Sequence, residues 1–280
     1  MTETKPLPPS LCRRVLSCFG LSASSPPTLE TLQQLVTRYT RIVPWESASR
    51  IARRARQAQS ADCALLGEAF WESHFARGSG GTCYESNYAF FGLLRWLGYD
   101  AYLTINDMGE TVGCHSAIVV LHEGRRYLVD VGFPVYIILP IDADRETRAE
   151  GPLMDYSLEP QGGSRYLLRR ESLARAHSFT LRDEPVPDAD YRAIAIHDYR
   201  PNGGQFLNEI VIQKVVDERL WRFHSDVQPF VLQQFVDGER RDHAIDGDVA
   251  DALSSQFGIA REVLAEAMAA LGLAFEGRAT

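Results

Sequence analysis

No stretch of this sequence reaches the ~18 consecutive apolar residues that a membrane-spanning helix needs, and no run of lysine and arginine is interleaved with aromatics. The first absence argues against a transmembrane segment. The second, with a formal net charge of −8, argues against a nucleic-acid binder. There is no CxxC pair and no HExxH, so neither a structural nor a catalytic zinc site is expected, and no metal is assigned. "MTETKPLPPS" lacks the basic start and apolar core of a secretion signal, and a cytoplasmic location is expected. Internal repeats and low-complexity tracts are absent too. Cysteine is scarce and odd in number: Cys12, Cys18, Cys63, Cys83 and Cys114. In a reducing compartment these read as free thiols rather than a disulfide frame, most of them small buried hydrophobes.

What is present is an ordinary globular composition, 45% hydrophobic and 24% charged. Residues 8 to 75 carry helical spacing, for example Leu29, Leu32, Leu35, Val36 and Tyr39 behind a capping Thr28. Residues 64 to 76 predict a further helix, and Cys83 opens the next. After Gly98 the period changes to two, and strands are predicted at "DAYLTIND", "HSAIVVLHE", "RRYLVDVGF", "RYLLRR", "HSFTLR", "NEIVIQKVV" and "RLWRF". Prolines and glycines between 134 and 164 predict a long connection. "GDVADALSSQFG" and "AREVLAEAMAALG" close the chain as helices. The class is α+β.

Chemistry concentrates around "RGSGGTCYESN", residues 77 to 87. Thr82 and Glu85 stand in the T-x-x-E relation of a capping box, which predicts that a helix starts at Cys83. A thiol there meets unpaired backbone N–H groups and the positive end of the helix dipole, which lowers its pKa. The small residues ahead of it predict an open approach for a large substrate. A Glu123-Gly124 hairpin turn pairs His122 with Arg125 and, by count, Ala117 with Asp130. Asp130 then lies on the face of His115, one diagonal step and roughly 7 Å away between α-carbons. Aspartate is rare inside strands and needs a partner. Cys83, His115 and Asp130 together form the arrangement that activates a cysteine nucleophile. Taken singly, each has a plainer reading: a buried structural cysteine, a satisfied half-buried histidine, a turn-supporting carboxylate. The other histidines and Trp71, Trp96 and Trp221 read as surface, capping or packing residues, and Cys114 as core on the opposite strand face from His115. "GSGG" is not followed by Lys-Ser/Thr, so a phosphate loop is not expected.

These motifs resemble the arylamine N-acetyltransferase family, within the papain- and transglutaminase-like group. "RGSGGTCYESN" is similar to its R-G-G-x-C-x-E-x-N signature, Pro44-Trp45-Glu46-Ser47 to its P-F-E-N segment, and "HSAIVV" and "YLVDVGF" to the segments holding its His and Asp. The resemblance covers residues 28 to 133 well. It implies Cys83 as nucleophile, His115 as base and Asp130 as orienter, with Arg77, Glu85 and Asn87 bracing the signature loop. It implies a helical bundle at 1–88 carrying the cysteine, an antiparallel β-barrel at 89–190 carrying His and Asp, and an α/β lid at 191–280. The implied reaction is ping-pong: Cys83 takes an acyl group from acetyl-coenzyme A as a thioester and passes it to an arylamine or hydrazine. The oxyanion would be held by the Cys83 amide and one further backbone N–H. Trp45, Gly113, Phe133, Asn202, Gly203, Gly204 and Phe206 are the candidates for substrate and donor contacts.

The chain departs from the pattern in three places. The signature carries two extra residues before Cys83, Pro134 follows Phe133 where glycine is usual, and "DYRPNGGQF" (198–206) replaces a Ser/Thr-rich donor-binding stretch. Three alternatives therefore stay open: an amide synthase releasing a carrier-protein-bound polyketide chain, a thioester hydrolase or peptidase with the same triad, and a non-catalytic relative.

Overall fold

The computed structural model describes residues 6–151, 153–170, 177–200, 204–236 and 239–273. The N-terminal helices are α1 (Pro9–Cys18), α2 (Leu29–Ile42), α3 (Ala48–Arg56), α4 (Ser60–Cys63), α5 (Glu68–Arg77) and α6 (Cys83–Trp96), with a two-residue strand β1 (Trp45–Glu46) between α2 and α3. Thr28 caps α2, its hydroxyl accepting from Thr31 N at 3.2 Å. The helix predicted over 64–76 begins four residues later than its apolar pattern, because Gly67 adopts φ +63° and cannot continue a right-handed helix.

Eight strands follow the order β5-β4-β3-β2-β9-β8-β7-β6. They are β2 (Asp100–Met108), β3 (Thr111–His122), β4 (Arg125–Val129), β5 (Leu139–Ile141), β6 (Thr147–Glu150), β7 (Asp155–Pro160), β8 (Arg165–Arg170) and β9 (His177–Arg182), every pair antiparallel. The end strands are tied by Thr147 Oγ1, which donates to Pro140 O at 2.7 Å, so the sheet is a nearly closed barrel. The predicted hairpin has the counted register: His122 faces Arg125 and Ile118 faces Val129. Glu123 and Gly124 both take positive φ, as a two-residue hairpin turn requires.

The connection predicted over 134–164 instead holds β5, β6 and β7. Their brevity and the proline inside β5 hide the alternation that marks longer strands, and β5 tolerates Pro140 at the end of the order. The third region adds α7 (Asp188–His197), strands β10 (Val211–Val216), β11 (Arg219–His224), β12 (Val231–Val236) and β13 (Glu239–Ala244), and helices α8 (Val249–Phe257) and α9 (Arg261–Ala270). Its sheet runs β1-β10-β11-β12-β13. β12 and β13 carry no alternation from which to predict strands. The first buries Gln233 and Gln234, and the second is an edge strand with every residue exposed.

Neither expected boundary separates folding units. The cut at 88/89 falls inside α6, and the cut at 190/191 inside α7. The core shared by α1, α2, α5 and α6 reaches across to Ile118, Val120 and Val129 of the barrel, and to Tyr191 and Ala195 of α7. Ala48, Ile51 and Ala52 of α3 pack instead with Leu253, Val263 and Leu264 of the last two helices. No helix among the described residues is long and apolar enough to cross a membrane.

Candidate active site

Cys83 is the first residue of α6, as predicted, but the capping box does not form. Thr82 makes no side-chain cap bond and its buried hydroxyl has no partner. Glu85 turns away from the helix start. Its carboxylate accepts from Arg53 Nη2 at 2.9 and 3.0 Å, Leu65 N at 2.8 Å and the Tyr199 hydroxyl at 2.7 Å, with Arg50 at 4.0 Å. Arg77, expected to brace this loop, has an exposed side chain; among the described residues only its carbonyl is engaged, accepting from Ala260 N at 2.7 Å. The bracing arginines come from α3. Sequence reasoning missed them because "ASRIARRAR" reads as a charged outer helix, and only the fold brings it against Glu85.

The small residues before Cys83 also serve a different purpose from the one expected. A Cβ on Gly78 would overlap the Gly258 carbonyl, and one on Gly80 would overlap the Pro44 carbonyl. Gly80 N donates to the buried Glu46 carboxylate at 2.9 Å, and Gly81 bridges to Trp45. The loop is bare because backbone packs on backbone, not because substrate passes over it.

The barrel hairpin presents the other two side chains. His115 Nε2 lies 2.7 Å from Asp130 Oδ2, both groups fully enclosed. Asp130 Oδ1 accepts from Asn87 Nδ2 at 2.9 Å, Gly132 N at 2.8 Å and Phe133 N at 2.9 Å. A carboxylate so supplied is fixed in place and leaves His115 Nδ1 as the nitrogen available to a substrate or thiol. Asn87 is the tie between helix and hairpin: it also donates to Ser116 O at 2.7 Å and accepts from Val131 N at 3.1 Å. Ser116 Oγ donates to Cys83 O at 3.1 Å, and Tyr191, buried in α7, donates to Tyr84 O and Ser116 Oγ.

Cys83 is 6% exposed, and its thiol is directed at Cys114 O, 3.7 Å away. Burial pushes its pKa up, Asp198 adds to the rise, and Arg50 opposes both. The helix dipole was expected to lower it. A helix end supplies about 0.3–2 kcal/mol, whereas full burial can shift a pKa by ~3–5 units at about 1.4 kcal/mol each. Burial outweighs the dipole, so the pKa of the thiol is raised rather than lowered.

Cys83 and His115 open into one cavity of about 240 Å³. Trp45 and Phe133, both predicted, line it. The Trp45 indole N–H donates to Gly132 O at 2.5 Å and its ring meets Phe206 edge-on at 5.0 Å between centroids. Phe206 lines it as well. Gly204 lies in an adjoining depression, where a Cβ would overlap the Asp198 carbonyl. Asn202 and Gly203 lie outside the described residues. Gly113 is not on the wall: with φ +66° it turns its carbonyl to the Tyr84 hydroxyl, 2.5 Å away. Three residues read as core or surface line the cavity instead, namely Cys114, His177 and His224. The kink at Gly113 and the register shift between Asn106 and Met108 disturb the face alternation that assigned Cys114 to the core. His177 and His224 stand at strand ends facing the cavity, which periodicity alone does not reveal. Glu209, His224 and Asp226 place one possible metal-ligand atom each within 4.8 Å of one another, with His224 Nε2 3.3 Å from Glu209 Oε2.

Comparison with known proteins agrees with this fold. The N-acetyltransferase family model matches residues 28–264. An arylamine N-acetyltransferase of Mycolicibacterium smegmatis is 25% identical over 259 residues, covering 87% of this chain and 90% of its own. Proansamycin X synthase of Amycolatopsis mediterranei is 30% identical over 125 residues, 42% of this chain and 46% of its own. The structure of Mycobacterium marinum arylamine N-acetyltransferase in complex with CoA superposes with a TM-score of 0.75 at 21% identity, covering 90% of this chain and 97% of that one.

Proposed function

Because this chain belongs to the arylamine N-acetyltransferase family and is an acyltransferase, we propose that it carries an acetyl group from acetyl-coenzyme A to an arylamine or hydrazine nitrogen through a thioester on Cys83. The observation that carries this reading is the His115–Asp130 pair, with Nδ1 left over in the cavity that also holds the Cys83 thiol. His115 takes the thiol proton as Sγ attacks the acetyl carbon. The oxyanion is met by the Cys83 N–H, which as the first amide of α6 has no acceptor within the helix. The carbon–sulfur bond to coenzyme A breaks, and the leaving thiolate receives that proton. The amine then attacks the enzyme thioester and gives its proton to His115, and Cys83 leaves as a thiol. Asp130 holds the imidazole tautomer throughout. Trp45, Phe133 and Phe206 supply the apolar walls suited to an aromatic acceptor.

The CoA complex of the mycobacterial neighbour supports coenzyme A as the donor's carrier. The stretch shared with the Amycolatopsis synthase covers less than half of either chain and gives a carrier-borne donor no separate support. Intact-mass spectrometry tests the proposal. Mixing with acetyl-coenzyme A should add one acetyl group, which an arylamine removes and which Cys83→Ser never acquires. No gain from acetyl-coenzyme A, with a gain from an activated acetyl ester, would mean a working nucleophile and the wrong donor.

A further inference from the structure

The transfer steps leave the buried Arg50–Asp198 pair without a role. Arg50 is the third residue of α3. Ala48, Ile51 and Ala52 turn to the apolar core shared with α8 and α9, which leaves Arg50 and Arg53, three positions apart, on another face. That face meets Tyr199 and Glu85. Arg50 is fully buried, its guanidinium carbon 4.2 Å from the Tyr199 ring centroid and its Nη1 4.0 Å from Glu85 Oε2. Nε and Nη1 have no hydrogen-bond partner among the described residues. Burial works against the charge, but Tyr199, Asp198, Glu85 and Cys83 outweigh it and hold the group above the ordinary arginine range.

Nη2, in contrast, is fully used. It donates to Asp198 Oδ2 at 2.6 Å, to Asp198 O at 3.1 Å and to Gln205 O at 3.3 Å. Asp198 Oδ1 accepts from Gln205 N at 3.2 Å, and a Cβ on Gly204 would overlap the Asp198 carbonyl. Two points seven positions apart in the chain are thus gathered on one nitrogen. Directly beyond them Phe206 takes φ +56°, a left-handed backbone that a non-glycine residue keeps only where its neighbours fix it. Gln205 and Phe206 line the cavity of Cys83, and Phe206 meets Trp45 there. Arg50 does not line it. The wall is set by contacts made behind it.

We propose that Arg50 is a positioning residue for acyl transfer: by holding Asp198 and Gln205 together, it fixes Phe206 against Trp45 as the aromatic wall beside Cys83. The planar guanidinium, stacked on Tyr199, gives Nη2 one direction, which the flexible ammonium of a lysine does not have. A buried ion pair adds little net stability over apolar packing; what this one supplies is position. That the wall receives an arylamine rests on the acyl-transfer reading, whereas the wall itself can be probed with no transfer at all.

The test compares alkylation of Cys83 by N-phenyliodoacetamide and by iodoacetamide, followed by peptide mass. Both reagents attack the same thiolate, so their rate ratio, referred to N-acetylcysteine, cancels the ionisation of Cys83 and reads the aromatic wall. In the wild type the ratio should exceed that of the free thiol. It should fall about threefold or more in Arg50→Gln and in Phe206→Ala. The double variant should fall no further than Phe206→Ala, because the arginine acts through that ring, and Arg50→Lys should recover part of the loss. A wild-type ratio no higher than the free thiol's, a ratio unmoved by Arg50→Gln, or two losses that multiply in the double variant would overturn the proposal. Should Arg50→Gln fail to fold, Asp198→Ala removes the partner of Nη2 from a side chain that is 14% exposed. It should lower the ratio likewise, and an unchanged ratio refutes the clamp. A lowered ratio in these variants, with no acetylation of wild-type Cys83, would refute acetyl transfer and uphold the positioning role.

Discussion

At the residue scale the site divides its work between a group that must be fixed and a group that must change. Asp130 is fixed by four donors, and burial raises the pKa of the Cys83 thiol. This gives a pH prediction with a definite sign. A raised thiol pKa means that the lone thiolate fraction is small at neutral pH and grows about tenfold per pH unit. With His115 present, the base removes the proton and iodoacetamide should modify Cys83 readily near pH 7. In His115→Ala, modification at pH 7 should slow by about 10²–10⁴-fold and should still be climbing beyond the ordinary thiol range. Rapid neutral-pH alkylation of that variant would show that the helix end alone activates the thiol. The His115–Asp130 contact was legible in the sequence because a two-residue turn fixes hairpin register by counting, and the place of Cys83 at the start of α6 was legible from the apolar spacing that follows it. Arg50, Arg53 and Tyr199 were not. They reach Glu85 from other elements, and no local pattern distinguishes a buried arginine from a solvated one.

At the scale of elements, the start of α6 and the end of β4 meet through glycine. A Cβ on Gly132 would overlap Cys83 Cα and sit 2.6 Å from Asn87 Nδ2. Both neighbours are anchored, one in the helix backbone and the other by Ser116, Asp130 and Val131. Gly132→Ala should therefore destabilise the protein by about 1–3 kcal/mol and separate the thiol from His115. A thermal melt and the alkylation assay would show both losses together; a variant with wild-type melting and reactivity would mean the junction is slack. The elements themselves were readable wherever periodicity ran long enough, as in α2, β3 and α9. Short or unpatterned ones escaped: the three strands between 139 and 160, the charged edge β13, and α7, whose buried face amounts to Tyr191 and Ala195.

The whole molecule does not divide where its chemistry divides. α3 precedes Cys83 in the chain yet packs with α8 and α9, β1 joins the C-terminal sheet, and Tyr191 of α7 bonds to the helix that carries Cys83. Calorimetry should accordingly record one transition, with an enthalpy of roughly 200 kcal/mol from ~0.7 kcal/mol per residue and a van't Hoff ratio near one. Two separable peaks would mean that the C-terminal region melts as its own domain. Composition and strand order made the α+β class legible. The interlocking was not, because contacts between residues 48 and 264 leave no trace in local sequence.

The tight junction at Gly132 has a consequence for traffic. With one side of Cys83 closed by backbone and its sulfur directed at Cys114 O, the cavity is the approach that remains among the described residues, and in the proposed transfer donor and acceptor would berth in it by turns. In that proposal the departing thiol clears the way for the amine, so the sequence of arrivals would be imposed by the walls.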